Sequence, residues 1–141
     1  MNNLPPFTFL GYNLAKGTFS RTGSSPLNII KIMVKAIKPV AGSNVLTFLI
    51  SADLTFLNGD VWSLTYSSSF KIIDKEWTEK AEEENVLLSV LFSSVFPFIR
   101  SSISSMSDDS YGRVDLPIID LRNNDLSKGI VLKRENNSSI K

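Results

Sequence analysis

The stretch from Glu82 to Ser107, EEENVLLSVLFSSVFPFIRSSISSMS, constrains the fold more than any other part of the chain. Wound as a helix, it places Leu88, Phe92, Val95, Ile99, Ile103 and Met106 on one face. Leu87, Leu91, Ser94, Phe98, Ser101 and Ser105 fall on a neighbouring face. Only a narrow strip, made by Glu82, Ser89, Ser93, Arg100, Ser104 and Ser107, is polar. A helix that is apolar over most of its circumference is buried on more than one side. This one would be about 40 Å long, and a chain of 141 residues has little else with which to cover it. A second copy is the natural cover, so the helix is expected to contribute to an oligomer interface. Pro97 removes a backbone bond in mid-helix and is expected to bend the axis, and Asp108, Asp109 and Gly112 close the helix.

The residues before this helix alternate as strands do. Phe7 to Phe19 is the first extended segment, with Leu10, Tyr12 and Leu14 alternating with Gly11, Asn13 and Ala15. Thr22 to Pro26 is a turn cluster, and Leu27 to Lys38 is a second strand with Ile30, Ile32, Val34 and Ala36 on one face. Val45 to Leu57 alternates most cleanly. Leu46, Phe48, Ile50, Ala52, Leu54 and Phe56 face one way, and Thr47, Ser51, Asp53 and Thr55 the other. One face on a core and one in water is the mark of an antiparallel sheet. Asn58-Gly59 signals a hairpin, and Val61 to Ile73 returns with Trp62, Leu64, Tyr66, Phe70 and Ile72 on one face. Asp74 to Lys80 reads as a polar connector. Four strands followed by one long helix predict an α+β fold, a four-stranded antiparallel sheet packed on the helix. Residues 1–121 form this domain, and residues 122–141, with a small apolar island at Ile130 to Leu132, are expected to be an irregular, mobile tail.

Composition removes whole classes of chemistry. With neither cysteine nor histidine, the chain cannot build Cys/His zinc sites, thiolate nucleophiles or histidine acid–base pairs. A net charge of +1 gives no global pull toward nucleic acid or membrane. No basic leader precedes an apolar core at the N-terminus, and no stretch reads as a membrane span, so a cytoplasmic protein without membrane insertion is expected. No cofactor is implied and no enzyme is expected, since no acid–base pair can be named.

Ser68-Ser69-Phe70-Lys71 spells a serine–lysine motif, but on a strand Ser68 and Lys71 point to opposite faces, so it reads as coincidence. Glu76, Glu79 and Glu82 to Glu84 lack the loop grammar of a calcium site and read as a solvated helix start. Lys31, Lys35 and Lys38 are interleaved with aliphatic residues rather than stacking aromatics, so edge protection is preferred to nucleic-acid binding. The aromatic set is different. Any one of Trp62, Tyr66 and Phe70 on the sheet, or Phe92, Phe96 and Phe98 on the helix, reads first as core, but together, with Leu88 and Ile99, they exceed what one small core needs. These eight are the candidates for an oligomer interface or a groove that receives another polypeptide.

Phe96-Pro97-Phe98-Ile99-Arg100 in an apolar helix, followed by Val114-Asp115-Leu116-Pro117, resembles the helix and connector of the SecB protein-export chaperones. Tyr12 to Phe19 resembles that family's first strand, and Ser67 to Ile72 sits where its pre-helix segment would. The resemblance spans roughly residues 7 to 121. It implies an ATP-independent holdase, a homo-oligomer (dimer or tetramer) that binds unfolded or nascent polypeptides along hydrophobic grooves. The sequence departs from the family where carboxylates would dock an export motor, with Lys16, Ser20 and Ser63 at the matching positions. Docking of that kind is therefore not expected. The alternative is a non-catalytic accessory protein of the same fold with one dedicated protein partner.

Overall fold

The computed structural model describes residues 5–121 and 125–134. It is an α+β structure whose strands are β1 (Phe7–Phe19), β2 (Leu27–Ile37), β3 (Val45–Phe56) and β4 (Val61–Ile72). Two helices follow, α1 (Lys75–Glu83) and α2 (Leu87–Met106), and then a short strand, β5 (Ile130–Lys133). All neighbouring strands are antiparallel in the order β1-β4-β3-β2-β5. The β3–β4 hairpin is therefore central. Its loop is Leu57-Asn58-Gly59, closed by a hydrogen bond from Phe56 N–H to Asp60 C=O, with Gly59 at φ 93° as the three-residue loop requires.

The period-two pattern dictates which face meets α2. Leu46, Phe48, Ile50, Ala52, Leu54 and Phe56 on β3 are buried, as are Trp62, Leu64, Tyr66 and Phe70 on β4. They share a core with Leu87, Leu91, Phe92, Val95, Phe96, Ile99 and Ile103 of α2. Ser68 also points inward, and its hydroxyl donates to Phe48 C=O at 2.9 Å, which satisfies the buried oxygen. The helix continues through Pro97, which is exposed. Ser93, whose carbonyl loses its partner to the proline, is exposed as well, so water can replace the missing bond.

The expected single rod from Glu82 is in fact two helices. The connector from Asp74 is itself α1, begun by the Asp74 carboxylate accepting from Trp77 N–H at 2.9 Å. It ends at Asn85, which sits at φ 60° while its N–H donates to Glu82 C=O and Val86 N–H donates to Ala81 C=O. That pair of reversed bonds around a left-handed residue is a Schellman stop, and asparagine is the usual substitute for glycine in it. By length and composition, α2 also meets the requirements of a membrane span, contrary to the expectation that no stretch would. Leu87, Leu91, Phe92, Val95, Phe96, Ile99 and Ile103 form the face of α2 that is buried against the sheet.

The expected irregular tail is corrected as well. Ile130–Lys133 forms a fifth strand on β2, pairing Ile30 with Leu132 and Ile32 with Ile130. The apolar island has the alternation an edge strand needs, and Ile130 is buried. Asp125 starts the approach by accepting from Ser127 N–H, and Gly129 at φ 79° brings the backbone close to β2, where a Cβ would run into the Met33 sulfur. Residues 122–124 and 135–141, the rest of that expected tail, lie outside the described residues.

Between β1 and β2 the chain crosses the end of the sheet, and Asp60 ties that crossing down. Its carboxylate accepts from Thr22 N–H at 2.8 Å, Thr22 Oγ1 at 3.0 Å and Asn58 Nδ2 at 3.0 Å. The Thr22 backbone bond is the main reason its carboxyl lies below the usual aspartate range. Asp60 thus binds its proton less readily folded than unfolded. Its stabilisation is present in full above the ordinary aspartate pKa and drains away as pH falls through the lowered folded value. Asp60→Asn is expected to flatten the acid limb of a plot of unfolding midpoint against pH. Leu91→Ala, which empties a fully buried site on α2, should cost about 2–5 kcal/mol in urea denaturation.

Candidate functional site

Among the described residues β1 is paired only on its β4 side, so its other margin offers backbone donors and acceptors along 13 residues. Two register shifts against β4, between Phe9 and Gly11 and between Leu14 and Lys16, make Leu10 and Ala15 extra residues. Each bulge reverses the phase of alternation. Phe9, Tyr12, Leu14 and Phe19 consequently share the face turned toward α2, opposite Phe70, Ser68, Tyr66 and Trp62 respectively. Simple alternation, which groups Leu10 with Tyr12, misses this shift, although Gly11 at φ 137° marks it.

At this margin the core comes to the surface. Phe98 of α2 is 47% exposed, Tyr12 is 38% exposed, and Phe9 is half-buried between them. Ring centroids lie 5.5 Å apart for Phe9 and Phe98, 5.8 Å for Tyr12 and Phe98, and 6.5 Å for Phe9 and Tyr12. Beneath them, Phe70 lies 5.3 Å from Phe9 and Tyr66 lies 6.2 Å from Tyr12. The Tyr66 hydroxyl is anchored to Ser102 Oγ at 2.9 Å. Burial pushes its phenol pKa up, against the opposing pull of that hydrogen bond. The exposed rings therefore rest on a fixed aromatic floor, with Leu10 and Phe19 also exposed along the strand.

The eight residues singled out by sequence divide sharply. Trp62, Tyr66, Phe70, Phe92, Phe96 and Ile99 are core side chains, because the hairpin and helix that carry them sit at the centre of the layers. They cannot touch a partner in this conformation. Phe98 is on the surface. Leu88 is half-buried and lines a groove of about 670 Å³ between β2, the start of α2 and the 125–127 turn. Phe9 and Tyr12 were missed because β1 gave no sign that it would be an edge.

The chain also covers part of α2 by itself. The strip carrying Arg100, Ser104 and Ser107 grips the segment after the helix. Arg100 Nε donates to Leu116 C=O at 3.0 Å, Ser104 Oγ to the Asp115 carboxylate at 2.8 Å, and Val114 N–H to Ser107 Oγ at 2.6 Å. Val114 and Leu116 are buried there. The apolar excess of the helix is thus smaller than its sequence implies, and it is concentrated at Phe98.

The other motifs separate in space. Ser68 is inside the sheet while Lys71 is exposed on its far face. Glu79, Glu82 and Glu84 pair with Lys75, Lys38 and Lys80. Among the described residues no acidic cluster could hold a metal ion. Lys38 leaves the line of Lys31 and Lys35 to meet Glu82 at 2.8 Å.

No protein-family profile matches the chain, and no curated protein is similar to it in sequence. Among solved structures, the fold is similar to that of Mycobacterium tuberculosis Rv1957, a SecB-like chaperone in complex with a ChAD peptide from the Rv1956 HigA1 antitoxin. The TM-score is 0.63 at 10% identity, over 81% of this chain and 91% of that one. A protein of unknown function from Streptococcus agalactiae gives a TM-score of 0.46 at 11% identity, over 79% of this chain and 97% of that one. The first likeness establishes a SecB-like α+β fold.

Tyr12→Ala and Phe98→Ala remove exposed rings from a floor that stays packed. Each is expected to change the melting temperature little while reducing the binding of an environment-sensitive apolar dye, read by fluorescence titration.

Proposed function

We propose that this chain is an ATP-independent holdase that captures unfolded or nascent polypeptides at the β1 margin. The observation that carries the reading is the Phe9–Tyr12–Phe98 cluster, surfacing beside the margin of the 13-residue β1 that no described strand pairs. An extended client can lay its backbone along β1, where main-chain bonds are indifferent to sequence, and place apolar side chains on the rings. Binding the unfolded state draws it away from folding and aggregation by mass action, which requires no catalytic group. The SecB-like fold, shared with a chaperone solved with a bound peptide, supports a chaperone role. The same margin suits a second copy, and a cytoplasmic homo-oligomer in which copies and clients share the apolar surface belongs to this reading. That neighbour's peptide comes from one antitoxin, which favours as a second reading a single dedicated protein partner.

The two readings differ in breadth. A holdase should suppress light scattering from several unrelated unfolded proteins at near-stoichiometric ratios, whereas a dedicated partner protein should protect one. The double variant Tyr12→Ala/Phe98→Ala should weaken protection about tenfold or more. Sedimentation of the same variant tells clients from copies: a drop in native mass assigns the cluster to the oligomer interface. Unchanged mass with lost protection assigns it to clients, and unchanged protection by the double variant would refute the site.

A further inference from the structure

The face of the sheet turned away from α2 has a character that the aromatic margin does not explain. Alternation and register place Lys16 of β1, Lys71 of β4, and Lys31 and Lys35 of β2 on it. Asp53 is the one carboxylate of β1 to β4, opposite Lys31 on β2. Three other lysines are spoken for: Lys38, Lys75 and Lys80 pair with glutamates at or beside α1. Lys16, Lys31, Lys35 and Lys71 are exposed and make no ion pair among the described residues. A chain of net charge +1 is therefore strongly polarised, with glutamates gathered on α1 and unpaired ammonium groups spread over the opposite layer.

The surface between those lysines selects among polyanions. Every aromatic residue of β1 to β4 is on the α2 side, so no ring offers a base a stacking platform. No arginine lies on any strand, so the planar fork that grips phosphate in two places is absent. Hydroxyls occupy the centre, where Ser51 and Thr65 share a hydrogen bond of 3.2 Å. Ile29, Met33 and Ile37 flank Lys31 and Lys35 on the same face, and ammonium point charges set among hydroxyls and aliphatic groups match carboxylates carried on an extended chain. Lys31 and Lys35 lie four residues apart on one strand, about 13 Å, a spacing that an extended acidic segment meets at every fourth residue.

From this charge map we infer that the outer face of the sheet is a docking surface for an acidic polypeptide segment. It is separate from the aromatic margin and does not depend on the holdase reading. The test is fluorescence anisotropy of a labelled oligoglutamate peptide against the full chain at low and raised salt. Binding should weaken as salt rises, and Lys31→Glu/Lys35→Glu should weaken it about tenfold or more. Glu83→Lys on α1 and Tyr12→Ala should leave it within twofold. Because these lysines are exposed, circular dichroism should be unchanged. If charge reversal impairs folding, Lys31→Gln/Lys35→Gln reads the same contact. Equal affinity in wild type and the double variant would overturn the inference. So would tighter binding to a single-stranded oligonucleotide or to phosphatidylserine vesicles than to oligoglutamate. Salt-reversible growth in mass that the double variant abolishes would likewise overturn it, by assigning the face to a second copy.

Discussion

The contact between the inner face of the β3–β4 hairpin and α2 holds the remaining elements in place. Phe48, Ile50, Leu64, Tyr66 and Phe70 meet Leu91, Val95, Ile99 and Ile103 in a core with almost no exposed surface. Each such side chain contributes about 1.5–3 kcal/mol by leaving water. A shift of either strand by one residue would turn its whole apolar set outward, so burial also fixes the register. Tyr66 adds direction to this otherwise undirected attraction, since its bond to Ser102 fixes how α2 is rotated over the sheet. That rotation brings Phe98 to the β1 margin and turns Arg100, Ser104 and Ser107 toward the segment that follows.

Polar groups do their work at the boundaries of that core. Asp60 draws the β1–β2 crossing onto the hairpin end, and the Asn85 stop lets two helices meet the sheet instead of one overlong rod. Ser107, which caps α2, receives the backbone N–H of Val114, and Arg100 donates to the backbone carbonyl of Leu116, so the covering segment has partners where it is buried. A strip that looks like a solvated face on a helical wheel is, in three dimensions, the attachment for a covering segment.

How much of this the sequence could reveal depended on the range of the physics. Alternation in β3 and β4 is local and strong, so the hairpin, its faces and the layer order were legible. The resemblance through Phe96 to Arg100 likewise pointed to the SecB-like architecture. Asn85 was a local signal too, but the apolar run beyond it outweighed a single left-handed residue. The candidate site was legible only through Phe98. Large aromatics on a central hairpin become core, and whether a strand is central or marginal depends on pairings across the whole chain. Phe9 and Tyr12 were hidden for that reason and because two bulges shift their phase. β5 was hidden because four residues carry too little pattern to be told from a tail.

The two margins of the sheet are unequal. On one side β5 covers Ile29 to Ile32 of the 11-residue β2, and Met33 to Ile37, which no described residue pairs on that side, carry Lys35. On the other, no described residue pairs with the outer margin of β1. A sheet partly covered and charged on one side and open on the other accepts a long addition most readily on the open side. Any strand added at β1 pairs along one of its own margins and becomes the new edge of the sheet. Growth of the sheet is thereby given a direction: the described chain covers part of the β2 side itself and leaves extension to the β1 side.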